Sequence, residues 1–316
     1  MRLLPIVLLV ATVSAAAQPD YPTKPVRMIT GAPPGTPADV IVRIIAEPLG
    51  AVLGQPLVIE NRPGAINTIG LGAVAKANPD GHTLGTMTMP STLAPHLLPR
   101  IPFDTARDLA PVRQLAWVSN VLVVRPAASF VSVRELVAAA RARPQSLTFA
   151  SGGNGTPAHV SGELFRLTAA IEMRHVPFNG AVAGVAAVMG EQVDMMFAIA
   201  PAVIPHLKSG KLRALATPAP SRLRALPELP TLAELGYPLD VRDWVGIIAP
   251  AETPKVVVAR LEFAVATVLE LKQVKDRLAA AGFEPAESSA DTFGALIRAE
   301  LQKWGRVVQQ AGIKPD

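Results

Sequence analysis

The chain has 316 residues, 50% of them apolar and 17% charged, with a formal net charge of +5 and no cysteine. That length and apolar content exclude global disorder and suit two domains, and the lack of cysteine excludes disulfides, thiolate–metal sites and a cysteine nucleophile. The positive charge is dispersed and aromatic residues make up only 4%, so the basic–aromatic stripe that single-stranded nucleic acid needs is missing and no nucleic-acid partner is expected.

Met1–Ala17 reads as a secretory signal peptide. Arg2 supplies the positive start, Leu3–Val13 is an apolar run too short to span a bilayer, and Ala15-Ala16-Ala17 is a small-residue cleavage site. The mature chain then starts near Gln18 and is exported. The best later candidate for a membrane span, Ala181–Leu207, is interrupted by Glu191, Gln192, Asp194 and two prolines.

Val26–Thr30 is a β-branched strand, and Gly31–Pro37 a loop dense in Gly and Pro. Val40–Leu53 has helical periodicity, with a kink or restart expected at Pro48. Leu57–Glu60 predicts a strand, Asn67–Ala77 a helix and Thr83–Thr88 a strand, while five prolines make Pro90–Pro111 read as irregular. A new block starts at Asn120 with the strand Val121–Val124. Ser132 and Glu135 form a capping box for the next helix. Leu147–Ala150 is a strand running into a Ser151–His159 loop, followed by a helix with Val160, Leu164, Phe165 and Leu167 inward. Further strands are predicted at Met173–Phe178, Val193–Phe197, Leu212–Thr217 and Trp244–Ile248, with a helix at Val182–Met189. Thr253 caps another helix, and a final amphipathic helix covers Asp291–Gln310.

Strands alternate with helices, which predicts an α/β fold with parallel-rich sheets flanked by helices. The chain enters a middle domain near 119–121 and leaves it near 240–245. The expected organisation is therefore a discontinuous first lobe, 18–119 with 245–316, and a second lobe, 120–244, joined by a two-stranded hinge.

The most informative feature is a recurring junction of strand, small-residue loop and helix start. Gly35-Thr36-Pro37-Ala38-Asp39 is one case, Gly155-Thr156-Pro157 a second, and Ala65–Gly70 a third. Thr36 and Thr156 are read as N-caps, with Pro37 and Pro157 at the first helical position. Helix starts expose unpaired N–H groups and partial positive charge that attract carboxylates or phosphates. Every α/β protein has such junctions as plain caps; here one glycine-rich junction in each half would face the other across a cleft.

Other chemistry is weaker. Gly153-x-Gly155-x-x-Ala158 is a degenerate dinucleotide fingerprint, and Gly70-x-Gly72-x-x-Ala75 matches it equally well inside a helix. No acidic residue ends the strand after the Gly153 loop, so no cofactor is expected; an exported nucleotide-dependent oxidoreductase using that loop is the alternative. The five histidines stand alone and no metal site is expected. Asp194, in an apolar strand, is either a loop cap or an acceptor for a ligand. There is no Gly-x-Ser-x-Gly elbow, so Ser151 reads as a donor rather than a nucleophile.

Together, several motifs resemble the Bug-type substrate-binding receptors of tripartite tricarboxylate transporters. They are Tyr21-Pro-x-Lys-Pro-Val-Arg27, Pro33-Pro34-Gly35 with Asp39, Gly54-Gln-Pro, Glu60-Asn-Arg-Pro-Gly-Ala65, Pro79-Asp80-Gly81, Ser151-Gly-Gly-Asn-Gly-Thr156, His175-Val-Pro-Phe-x-Gly180, Gly190-x-Gln-Val-Asp194, Gly210-Lys-Leu-Arg-Ala-Leu215, Pro227-x-x-Pro-Thr231 and Ala249-Pro-Ala-x-Thr-Pro254. The resemblance runs from about Tyr21 to Ile313. It implies a two-lobed periplasmic binding protein of type II, monomeric and no enzyme, which captures a small carboxylate and hands it to membrane permease subunits or, in orphan members, to a sensor. It implies ligand contacts at Pro34, Gly35, Thr36, Thr68 and Thr86 in the first lobe, and at Ser151, Asn154, Gly155, Thr156, Phe178 and Asp194 in the second. Ala32 stands where the family commonly has an aromatic, Thr36 where it has a second glycine, Phe178-Asn179 where it often has Tyr-Lys, and Ala198 where it has Asp. These departures predict a less polar pocket, suited to a monocarboxylate or a neutral amide.

Overall fold

A computed structural model describes residues 21–313; the signal-peptide expectation falls outside these residues. In chain order the elements are β1 (Val26–Thr30), α1 (Pro37–Leu53), β2 (Leu57–Asn61), α2 (Thr68–Ala75), β3 (Thr83–Thr88), α3 (Met89–Leu97), β4 (Leu109–Val118), β5 (Asn120–Val124), α4 (Val133–Ala142), β6 (Thr148–Ser151), α5 (Pro157–Ala169), β7 (Arg174–Pro177), α6 (Ala181–Met189), β8 (Met195–Ile199), α7 (Ala200–Lys208), β9 (Arg213–Ala216), β10 (Asp243–Pro250), α8 (Lys255–Glu270), α9 (Lys272–Ala280), β11 (Glu284–Pro285) and α10 (Ala290–Ala311).

The strands form two sheets, ordered β11-β4-β10-β3-β1-β2 and β7-β6-β8-β5-β9. In the first, β1 lies parallel between β2 and β3, and β10 runs antiparallel to β3. In the second, β6 lies parallel between β7 and β8, and β5 runs antiparallel to β8. The two lobes are thus built on one plan, with α1, α2 and α3 following β1, β2 and β3 as α5, α6 and α7 follow β6, β7 and β8. Two crossings join them: β4 ends in the first sheet at Val118 and β5 starts in the second at Asn120, and the chain returns before β10 at Asp243.

Each sheet is covered on both faces, so its strands read as nearly continuous apolar runs. One core of the first lobe sets Ile41, Ile45 and Leu49 of α1 against Leu261 and Val265 of α8. The other contains Trp244, Phe293 and Trp304, and takes in Val160 of α5 from the second lobe. The cores of the second lobe centre on Phe149, Phe165 and Phe197 and, across the sheet, on Val121, Val185 and Met196.

Four expectations are corrected. The proline-rich Pro90–Pro111 holds α3 and the start of β4. Pro90 sits in the first turn of α3, where a missing N–H costs nothing, and Pro111 pairs with Ile248 where the β4–β10 register shifts. Pro48 does not divide α1, which runs from Pro37 to Leu53. Leu167 is exposed rather than inward. Thr253 does not cap α8, whose cap position is Pro254, and its buried hydroxyl has no partner among the described residues.

Candidate functional site

Strands in an open α/β sheet deliver their following loops to the carboxyl edge, where helix starts gather. In the first lobe that edge carries 31–36 after β1 and 62–67 after β2. In the second it carries 152–156 after β6 and 178–180 after β7.

The two central junctions are nearly identical. Gly35 and Gly155 take left-handed backbone angles, with φ of 80° and 72°, which glycine adopts without a Cβ penalty. Thr36 and Thr156 occupy the cap positions in extended conformation, yet neither hydroxyl caps its helix. Instead each donates backwards over 2.7 Å, to the Pro33 and Gly153 carbonyls. This corrects the expected capping role. Pro37 and Pro157 have no N–H to offer. The next amides, of Ala38 and Asp39 and of Ala158 and His159, find no acceptor among the described residues; the ladder begins with Val40 and Val160. Each helix start therefore presents two adjacent unpaired N–H groups at its positive end.

The third residue of each helix closes the loop by accepting the glycine N–H. In the first lobe this acceptor is Asp39, whose Oδ2 takes Gly35 N–H at 2.9 Å and Arg43 Nε at 2.9 Å, while its Oδ1 takes Asn61 Nδ2 at 2.9 Å. Burial alone would raise its pKa, but the bonds from Arg43, Gly35 and Asn61 outweigh burial and hold the carboxyl below its ordinary range. In the second lobe the acceptor is His159 Nδ1, at 3.2 Å from Gly155 N. An imidazole that accepts at Nδ1 carries its proton on Nε2 and is neutral. Burial, reinforced by the neighbouring His175, pushes its pKa down to about 3. The two rings stack 3.9 Å apart, with Phe149 against His175. So two of the five histidines that stand alone in sequence are partners in space. Among the described residues no group of three or more His, Asp or Glu is placed to hold a metal.

The junctions also touch. A Cβ added to Gly155 would lie 2.9 Å from Leu97 Cδ1 and 3.4 Å from Ile66 Cδ1, across the lobe boundary. A Cβ on Gly31 would lie 2.7 Å from the Asn67 carbonyl. Gly31, Ile66, Asn67, Leu97 and Gly155 thus form one contact patch, from which 32–35 continue along the chain.

Of the expected site residues, Pro34 and Gly35 are exposed on this patch, and Thr36, Asn154 and Thr156 are half-buried on it, with Gly155 buried against the first lobe. Phe178 is half-buried beside the second-lobe loop and donates its N–H to the Ser151 carbonyl at 3.0 Å. Thr68 starts α2, with its hydroxyl donating to the Ala65 carbonyl at 2.7 Å, and Thr86 is buried in β3 opposite Ile247. Two expectations are corrected. Ser151 has no exposed surface, and its Oγ is spent on the Gly153 carbonyl, the Gly153 N–H and His175 Nε2, so it braces the loop. Asp194 precedes β8 and accepts from Thr148 N and Oγ1, both at 2.8 Å, at the amino end of β6. The strand β6, roughly 10 Å long, separates it from the Ser151 edge. Sequence reading missed Ile66, Leu97 and His175; only tertiary contact marks them.

Comparison with known proteins gives a consistent result. The family model described as "Tripartite tricarboxylate transporter family receptor" matches residues 41–313. Protein BugT of Bordetella pertussis is 36% identical over 320 residues, covering 99% of this chain and 98% of that protein. An R. palustris protein solved with adipate superposes with a TM-score of 0.84 at 32% identity, covering 94% of this chain and 100% of that one. MatC from Rhodopseudomonas palustris with bound malate gives 0.80 at 29% identity, covering 91% and 100%.

Proposed function

The chain belongs to the tripartite tricarboxylate transporter receptor family, and from that premise we propose that it is a periplasmic solute-binding receptor that captures a small carboxylate-bearing metabolite between two lobes. The family and its solved neighbours are binding receptors rather than enzymes. Among the described residues no helix is long and apolar enough to cross a membrane, and the signal peptide at 1–17 would export the chain.

The observation that carries the reading is the pair of like-built helix starts, one per lobe, on a shared patch. The amides of Ala38, Asp39, Ala158 and His159 receive the carboxylate, which fills the N–H groups both helices leave unpaired. The loops at Pro34–Thr36 and Asn154–Thr156 shape the approach, with Thr68, Thr86 and Phe178 as walls. Several neutral donors suffice for a buried anion, so no arginine is required. The first lobe is 18–119 with 243–316, two residues earlier than expected because β10 starts at Asp243 in the first sheet, the second lobe is 120–242, and the ligand favours the closed arrangement by contacting both. The closed monomer then docks on the permease subunits of its transporter. The ligands of the two R. palustris neighbours, adipate and malate, support the carboxylate class.

A thermal-shift panel of small carboxylates tests this. A ligand at 100 times its Kd stabilises by about 2.7 kcal/mol, a rise of several degrees. A panel in which no carboxylate moves the melting temperature contradicts the reading.

A further inference from the structure

We infer that Ile66 is a specificity-determining residue that selects carboxylates with a hydrocarbon tail over hydroxylated or doubly charged ones. The inference rests on the receptor reading above and concerns what lies beside the anchored carboxylate.

Ala65, Ile66 and Asn67 are three successive non-glycine residues in left-handed conformation, with φ of 46°, 51° and 68°. A β-branched residue there is an outlier that survives only where its surroundings dictate it. The surroundings do so here. Asn67 Nδ2 donates to Thr88 Oγ1 at 2.7 Å, Thr68 Oγ1 donates to the Ala65 carbonyl at 2.7 Å, and a Cβ on Gly70 would lie 2.7 Å from Gly31 Cα. The turn is clamped between β1, β3 and α2. Its consequence is the direction of one side chain: Ile66 projects over the lobe boundary to the Gly155 loop, beside Leu97.

Gly155 lies three residues before the paired amides of Ala158 and His159. A carboxylate held there has its next carbons facing Ile66 and Leu97. The loops 31–36, 65–67 and 152–156 contain no Lys, Arg or His, and the flanking Arg62 and Arg43 are paired with Glu60 at 2.7 Å and Asp39 at 2.9 Å. The nearest first-lobe carboxylate, Asp39, is committed to Gly35, Arg43 and Asn61. Ala32 and Phe178 pack elsewhere, in the first-lobe and second-lobe cores, so Ile66 and Leu97 carry the apolar character here. A methylene or aromatic tail gains from burial against such a wall, whereas a hydroxyl or second carboxylate there loses water without a matching partner.

The test is calorimetric titration of the exported chain with acetate, hexanoate, benzoate and malate, repeated on Ile66→Gly and Ile66→Asn. Both replacements tolerate left-handed backbone, so the fold is kept and the melting temperature of Ile66→Gly stays equal to wild type or rises. The expected result is hexanoate or benzoate binding at least about tenfold tighter than acetate or malate in the wild type. Both variants then lose that preference, the hexanoate-to-acetate and benzoate-to-acetate affinity ratios each falling by about tenfold. An unchanged hexanoate-to-acetate ratio in both variants, or tighter binding of malate than hexanoate by the wild type, overturns the role of Ile66 and leaves the receptor reading standing. Failure of all four compounds to bind the wild type overturns both.

Discussion

Gly35-Thr-Pro-Ala-Asp39 and Gly155-Thr-Pro-Ala-His159 are the same turn written twice, differing in the last residue. The left-handed glycine, the backward-donating threonine and the proline start recur with bond lengths that match. The acceptor of the glycine N–H does not: it is a carboxylate in the first lobe and a neutral imidazole in the second. A negative charge in the first turn already compensates the helix dipole, and Arg43 offsets that charge only from outside, its side chain being 51% exposed. His159 adds no charge, so the start of α5 keeps its full attraction for an anion. On the proposed receptor reading, the second lobe is expected to hold the carboxylate more strongly than the first.

The largest effect that could break this contrast comes from the glycines. Alanine at either position incurs about 1–2 kcal/mol of left-handed strain. At Gly35 a Cβ meets nothing within 4 Å, whereas at Gly155 it meets Leu97 and Ile66. Gly155→Ala is expected to lose carboxylate affinity by at least ~100-fold, about 2.7 kcal/mol, and Gly35→Ala to keep affinity within a few-fold while its melting temperature falls by a few degrees. Equal losses in a titration of both variants would remove the asymmetry.

Acid should separate the junctions next. His159 falls from its ordinary 6.5 to about 3 in the fold. As pH drops below 6.5 the unfolded chain takes up that proton first, so this contribution to stability declines between pH 6.5 and 3, by ~4 kcal/mol in all. Asp243 acts in the opposite sense. Burial raises its carboxyl to about 7, so its contribution grows as pH falls from 7 towards 4. The reading is therefore the difference between wild type and His159→Asn, which keeps an acceptor and removes the titration. Denaturant melts should show the wild type losing stability relative to the variant across that window. Asp39, held below its ordinary range, gives up its contribution only below about pH 4. A flat difference curve contradicts the buried neutral imidazole.

Asp39→Ala strips acceptors from Gly35, Arg43 and Asn61 and should cost about 2–3 kcal/mol by denaturant melt, with a small change in affinity. The smallest effect tests the likeness rather than the difference. Thr36→Val and Thr156→Val each remove one 2.7 Å bond and should cost about 1 kcal/mol apiece; unequal costs would show that the turns are not equivalent.

The turns were legible in sequence because Gly, Thr and Pro fix backbone angles locally, and the alternation of strands and helices followed from the same punctuation. Their roles were less legible. Both threonines looked like caps, yet each hydroxyl turns back to a carbonyl. Asp194 reads in sequence as either a loop cap or a ligand acceptor, and the family resemblance favours the second; in the fold it caps Thr148 at the amino end of β6, just before β8 starts at Met195. The stack of His159 on His175 and the reach of Ile66 to Gly155 depend on tertiary contact between distant segments, which no local pattern encodes. Prolines hid α3 and β4: Pro90 stands in a first turn and Pro111 at a register shift, where such elements tolerate them, but Pro95 stands inside α3.

The central claim is that backbone amides from both lobes receive one carboxylate. A nitrogen–proton NMR titration of the labelled protein with hexanoate tests it most directly. Large shifts, saturating at one common Kd, are expected for the amides of Ala38, Asp39, Ala158 and His159. Shifts confined to one lobe, or centred on the cavity of about 620 Å³ lined by Arg100, Phe103 and Leu301, would contradict it.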